Sequence, residues 1–187
     1  MSSIVISGDT SGAITLAAPA VAGTNTATLP ASTGTVMVSG NMPAFRAALS
    51  GNQTITNNTN TKLVLNTEVI DTNNCYDPTT NYRFTPNVAG YYQINSNVEF
   101  SGTAVRQYAY VVYIYKNGSN LAYSQSALSL ANGSGGDNSV CVSALVLMNG
   151  TTDYLELYVY SYDFTTLASV NILAVGTSFN GVLVRTA

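Results

Sequence analysis

The chain has 187 residues, of which 8% are charged, 46% are hydrophobic and none is histidine, and its formal net charge is −3. Its six cations, Arg46, Lys62, Arg83, Arg106, Lys116 and Arg185, are scattered, so there is no basic stripe to neutralise a phosphate backbone. The lack of histidine excludes Ser-His-Asp, Cys-His and histidine-ligated metal catalysis.

The first ten residues, MSSIVISGDT, carry neither a basic region nor a long apolar stretch, so no secretory signal is expected. No apolar run reaches the ~20 residues that span a bilayer. Residues 8–40 hold three short apolar pieces, Ala13–Ala17, Thr26–Leu29 and Thr35–Val38, separated by Gly12, Pro19, Gly23, Pro30 and Gly34. Each piece is too short to bury a face of its own, so the segment needs a partner. Ile14, Leu16, Leu29, Val36 and Val38 are its candidate attachment residues. Gly12–Leu16, Ala18–Thr24 and Thr26–Thr35 resemble G-x-I-T-L, A-P-x-x-A-G-T and T-x-T-L-P-x-x-T-G-T, which recur in this order in virion proteins of tailed bacteriophages. The resemblance implies a structural role on a particle. Residues 1–40 are then a virion-attachment segment of short strands, and residues 41–187 a separate domain.

Between Leu65 and Tyr92 the chain reads L-x5-D-x4-Y-x7-F-x5-G-x-Y, through Leu65, Asp71, Tyr76, Phe84, Gly90 and Tyr92. Asn73, Asn74, Asp77, Pro78, Thr79 and Asn81 make a turn-rich patch inside it. After Pro86 and Gly90, Tyr92, Ile94, Val98 and Phe100 share one face, and Gln93, Asn95, Asn97 and Glu99 share the other, the period of a half-buried strand. Few Lys, Glu and Arg residues, many β-branched and aromatic ones, and runs broken by Asn, Gly and Pro predict an all-β sandwich.

The Leu65–Tyr92 spacing resembles the central signature of the C1q/TNF-like jelly roll. AFRAAL (44–49), VVYIYKNGSNLA (111–122), ALVLMNGTTDYLELYVY (144–160) and SFNGVLV (178–184) follow in the family's order, and Phe179, Gly181 and Leu183 match its closing F-x-G-x-L strand. The resemblance implies an antiparallel β-sandwich that forms a homotrimer and works by binding. Leu65, Tyr76, Phe84, Gly90, Tyr92, Phe179, Gly181 and Leu183 are its signature core residues. The Tyr76–Phe84 interval is one residue longer than the family's, which predicts a longer turn.

Thirteen tyrosines and no tryptophan are present. In 108–116, Tyr108, Tyr110, Val112 and Ile114 share one face, and Ala109, Val111, Tyr113 and Tyr115 the other, so neither face is polar and both need cover. In 154–162, Leu155, Leu157 and Val159 point one way, and Tyr154, Glu156, Tyr158, Tyr160 and Tyr162 the other. Tyrosine combines large area with few rotors and suits both a subunit interface and a ligand surface. The interface reading takes Tyr108, Tyr110, Tyr113, Tyr115, Tyr154, Tyr158 and Tyr160 as trimer contacts.

Carboxylate pairs are the remaining route to chemistry. Asp71 and Asp77 read as turn formers, Asp153 follows the Asn-Gly-Thr-Thr turn, and Glu156 and Asp163 read as exposed strand residues. No catalytic residue, cofactor or enzymatic activity is expected. Asp71, Asp77 and Asp137 are the candidate calcium ligands, but no D-x-D-x-D loop supports them. Cys75 and Cys141 read as two free thiols in or near the core. Asn57, Asn117 and Asn132 lie in N-x-S/T sequons, which matter only on a secretory route.

These readings combine into a non-enzymatic trimer on the virion surface, a capsid decoration or short head-fibre protein made in the host bacterial cytoplasm. Its partners are its own copies and, through the N-terminal segment, a major capsid or other virion protein. Neither nucleic-acid binding nor membrane insertion is expected. One alternative is a receptor-binding tail-fibre or spike tip that recognises a host surface glycan or protein. Another is a cellular C1q-like lectin using loops 103–108, 117–121 and 132–138.

Overall fold

The computed structural model describes residues 3–28, 31–101, 107–129, 136–163 and 169–187. The chain divides into two units, residues 1–34 and 35–187. In the first, β1 (Ser3–Ser7) and β2 (Ala13–Ala17) pair as an antiparallel hairpin. Of the three apolar pieces expected to be short strands, only Ala13–Ala17 is one; residues 26–28 and 35–38 hold no regular structure, and Leu29 lies outside the described residues. Ala13–Ala17 succeeds because a neighbouring stretch, SIVIS, turns back onto it through the Gly8 N–H, which donates to the Gly12 carbonyl at 3.0 Å.

The second unit is a sandwich of two antiparallel sheets. One runs β11 (Ser119–Ser129), β10 (Gln107–Lys116), β13 (Leu155–Asp163), β8 (Arg83–Phe84), β7 (Tyr76–Asp77), with β5 (Thr61–Lys62) also on β13. The other runs β12 (Asn138–Met148), β9 (Gly90–Phe100), β14 (Val170–Thr186), β3 (Ala44–Ala48), β6 (Thr67–Asp71), with β4 (Gln53–Ile55) also on β14. The one helical turn among the described residues is Ser39–Asn41, and no described helix is long and apolar enough to cross a membrane.

β9 alternates strictly between buried and half-buried residues, as its sequence period requires. Its inward side chains pack in the core with Phe45, Phe84, Val112, Ile114, Leu157 and Phe179. Phe45 stacks on Phe84 (centroids 4.1 Å apart) and on Tyr76 (5.5 Å), and meets Phe179 edge-on at 5.1 Å. Phe84 meets Tyr92 edge-on at 5.5 Å. The signature aromatics thus converge on one ring and tie the two sheets together. Gly90 and Gly181 belong to the same packing: a Cβ at Gly181 would come within 2.5 Å of Ile94 Cδ1 and 2.8 Å of a Phe45 ring carbon, and one at Gly90 within 2.4 Å of the Arg185 carbonyl. Leu65 and Leu183 complete the buried set.

Ser96 and Ser161 are buried with hydroxyls that have no partner. Because Phe179 and Tyr92 are fully buried, Phe179→Ala or Tyr92→Ala is expected to cost about 3–5 kcal/mol in chemical denaturation. Ser96→Ala, which removes an unsatisfied hydroxyl, is expected to leave stability unchanged or raise it. A loss of stability in Ser96→Ala comparable with that of Phe179→Ala would contradict this assignment.

Candidate interaction surfaces

The outward face of the first sheet is a tyrosine ladder. Register places Tyr123, Tyr113 and Tyr158 side by side on β11, β10 and β13, with Lys62 of β5 next to Tyr158. Tyr115 stacks on Tyr158 at 4.3 Å and meets Tyr113 edge-on at 5.9 Å, the distance that also separates Tyr113 from Tyr123. Tyr160 lies opposite Val111 on the same face, and its hydroxyl donates to Asn58 Oδ1 at 2.5 Å. Burial pushes the phenols of Tyr113 and Tyr158 above their ordinary range, so both stay neutral donors.

Of the seven expected interface tyrosines, Tyr113, Tyr115, Tyr158 and Tyr160 lie on this face, half-buried. Tyr154 stands just before β13, with the Arg83 guanidinium 4.4 Å above its ring. The Tyr108 side chain lies outside the described residues. Tyr110 is a correction: it is 1% exposed and stacks on Phe100 at 4.4 Å inside the core. The reason is parity, because Val112 and Ile114, on the same side of β10, also face inward. Glu156 is a second correction, since it is buried beneath the ladder and ion-paired with Lys62.

Tyr123, which is 62% exposed, escaped the sequence reading. Asn117 and Gly118, both at positive φ, form a tight two-residue hairpin turn, and an unbroken register from that turn would set Tyr123 opposite Val112. A register shift after Ile114 skips Leu121 and sets Tyr123 opposite Tyr113 instead.

The second sheet presents a different face. Gln93, Asn95, Ser143 and Asn180 share side-chain hydrogen bonds across β12, β9 and β14. Beside them Leu145, Leu147, Val182 and Val184 are between 41% and 62% exposed. Leu145 and Val182 flank Gln93 from either side in register. This patch was also missed, because residues 144–148 of β12 read ALVLM, apolar on both faces, and give no alternation to read.

Asp71, Asp77, Asp153 and Glu156 each have structural work, and the Asp163 side chain lies outside the described residues. Asp71 accepts from the Tyr76 N–H at 2.7 Å and the Asn73 N–H at 3.2 Å. Asp153 accepts from Lys116 Nζ at 2.9 Å and the Asn149 N–H at 3.0 Å. Asp77 accepts from the backbone N–H groups of Thr79, Thr80 and Asn81, which closes the turn between β7 and β8. Among the described residues no three His, Cys, Asp or Glu side chains cluster as a cation site. Both cysteines are free; Cys75 is buried, whereas Cys141 is exposed and donates to Asn97 Oδ1 at 3.0 Å. Ile14 and Leu16 lie on β2 of the first unit, and Val36 and Val38 in the second; all four are exposed.

Two solved structures share this arrangement at TM-scores above 0.5. An Eiger TNF from S. frugiperda is similar over 78% of this chain and 93% of its own, at 10% identity and a TM-score of 0.55. Murine APRIL is similar over 76% and 99%, at 12% identity and a TM-score of 0.52. The globular domain of zebrafish complement 1qA covers 78% and 98%, at 15% identity and a TM-score of 0.49. No protein-family model matches the sequence, and no curated protein does. The chain has the fold of a C1q/TNF-like jelly roll, a two-sheet antiparallel sandwich with almost no helix. At such identities the likeness is one of fold.

The backbone N–H groups of Thr80 and Thr79 hold the Asp77 carboxyl well below its ordinary value of 3.8. A carboxyl depressed on folding stabilises the native state above its unfolded value, and that stabilisation fades as pH falls towards the folded one. The stability gap between the parent chain and Asp77→Ala is therefore expected to be full above about pH 4 and to shrink below it. Denaturation curves for both proteins across that window would check this, and a gap that widens on acidification would contradict it.

Proposed function

We propose that the chain is a homotrimeric, non-enzymatic virion surface protein of the capsid-decoration or short head-fibre type, held to the particle by its N-terminal segment. One observation carries the reading: a jelly roll with apolar side chains uncovered on both outer faces is joined to a separate hairpin unit whose aliphatic side chains are all exposed. A monomer gains nothing from either, whereas an assembled and anchored protein uses both. The phage-like phrases of residues 12–35 supply the particle. Asp71, Asp77, Asp153 and Glu156 are committed to turns and ion pairs, which supports a binding role.

Self-association is assigned to the ladder of Tyr113, Tyr115, Tyr123, Tyr158 and Tyr160. A second reading has a specific observation in its favour. The ladder rings largely cover one another, while the aliphatic patch of β12 and β14 stands open. Leu145→Glu with Leu147→Glu and Tyr113→Glu with Tyr123→Glu separate the two by light scattering. The pair at the true interface is expected to weaken assembly by at least about tenfold, or about 1.4 kcal/mol.

Deleting residues 1–34 is expected to leave a folded trimer that no longer joins particles. Mass spectrometry of purified particles is expected to find many copies of the full chain and none of the deletion. Undiminished incorporation would rule out N-terminal anchoring, and a soluble single-copy species at micromolar concentration would rule out the trimer.

A further inference from the structure

The hairpin has two unlike faces. Its register pairs Ile4 with Leu16 and Ile6 with Ile14, two residues apart along each strand, so all four side chains stand on one face. They are between 55% and 68% exposed. The opposite face pairs Val5 with Thr15 and Ser7 with Ala13, small or polar residues apart from Val5. The strands contain no charged side chain, and Asp9 lies in the turn. A two-stranded hairpin is marginal in water unless its apolar face is covered.

We infer that this face is covered by the same face of sister chains, three hairpins packing their Ile4, Ile6, Ile14 and Leu16 side chains around a common axis into one closed apolar plug. The inference rests on the trimer proposed above. Area selects this occupant. At these exposures four aliphatic side chains offer roughly 200–300 Å², well short of the ~800 Å² per partner that an independent protein–protein contact needs. Such a face cannot hold a separate protein alone. Tethered within a trimer, however, the hairpins meet at an effective concentration on the order of millimolar, where a small apolar surface is enough. The absence of strand charges suits this arrangement, because symmetry would set any charge on that face against its own copies. The structure that anchors the protein is then a preassembled three-chain plug and not three independent strands.

Single-cysteine cross-linking of the full chain tests this. Cys141→Ser removes the exposed native thiol and leaves the buried Cys75. In that background Leu16→Cys marks the apolar face and Thr15→Cys the other. Each protein is sized by light scattering and treated with a short bifunctional thiol reagent. The expected result is a trimer in which Leu16→Cys links chains at least about tenfold faster than Thr15→Cys, at a rate independent of dilution. A trimer in which both positions link equally, or neither links, overturns the plug, leaves the trimer standing and gives the face to a particle protein. A single-copy species overturns both.

Discussion

Phe45 is the point on which the two sheets are fixed to each other. It comes from β3 of one sheet and stacks on Phe84 and Tyr76 from the other, with Phe179 at its edge. Aromatic pairs add ~0.5–1.5 kcal/mol each beyond their area, and here they span the sandwich. This gives the Leu65–Tyr92 spacing a physical meaning. Tyr76 and Phe84 lie opposite each other in register, so the interval between them must be a turn that returns two rings to one place. That turn closes over the Asp77 carboxylate, and the two rings meet Phe45. Gly181 is required from the other side, since any side chain would occupy the space that Phe45 and Ile94 fill.

The same economy governs the carboxylates of the turns. A carboxylate that accepts several N–H bonds is stabilised in its charged form and becomes a poor base. Asp77 and Asp153 are both held low in this way, by backbone amides in one case and chiefly by Lys116 in the other. The surface of the sheets and the hairpin presents phenols, amides and aliphatic side chains beside a few charges such as Arg46, Glu68 and Arg185.

How far the sequence could be read follows from where alternation carries information. In β9 one face is polar and one apolar, and its inward residues could be assigned by parity alone. In β10 both faces are apolar, so parity left open which tyrosines look outward, and Tyr110 fell on the wrong side. In the second half of β12, residues 144–148, the same ambiguity concealed Leu145 and Leu147. Tyr123 was hidden by the skipped Leu121, a one-residue slip that reverses every side chain beyond it. Glu156 lies on the outward parity, as expected, yet tyrosines and Lys62 close over it, which only the cross-strand neighbours reveal. β1 was invisible because five residues reading SIVIS become a strand only when another strand lies alongside.

The three apolar surfaces differ in how much of their drive to assemble is already spent. In the ladder, Tyr115 and Tyr158 turn ring faces to each other and Tyr113 lies between neighbours, so only Tyr123 presents a largely open ring. The β12–β14 patch and the hairpin face have no such internal cover, and area removed from water is what drives association. Neither carries a formal charge, so salt would screen little of that drive. Tyrosines that cover one another inside a single copy set the sheet's shape, whereas open aliphatic side chains are satisfied only by a second surface. The open aliphatic side chains thus keep more of their area in contact with water than the ladder rings, which are already held in place by one another within a single copy.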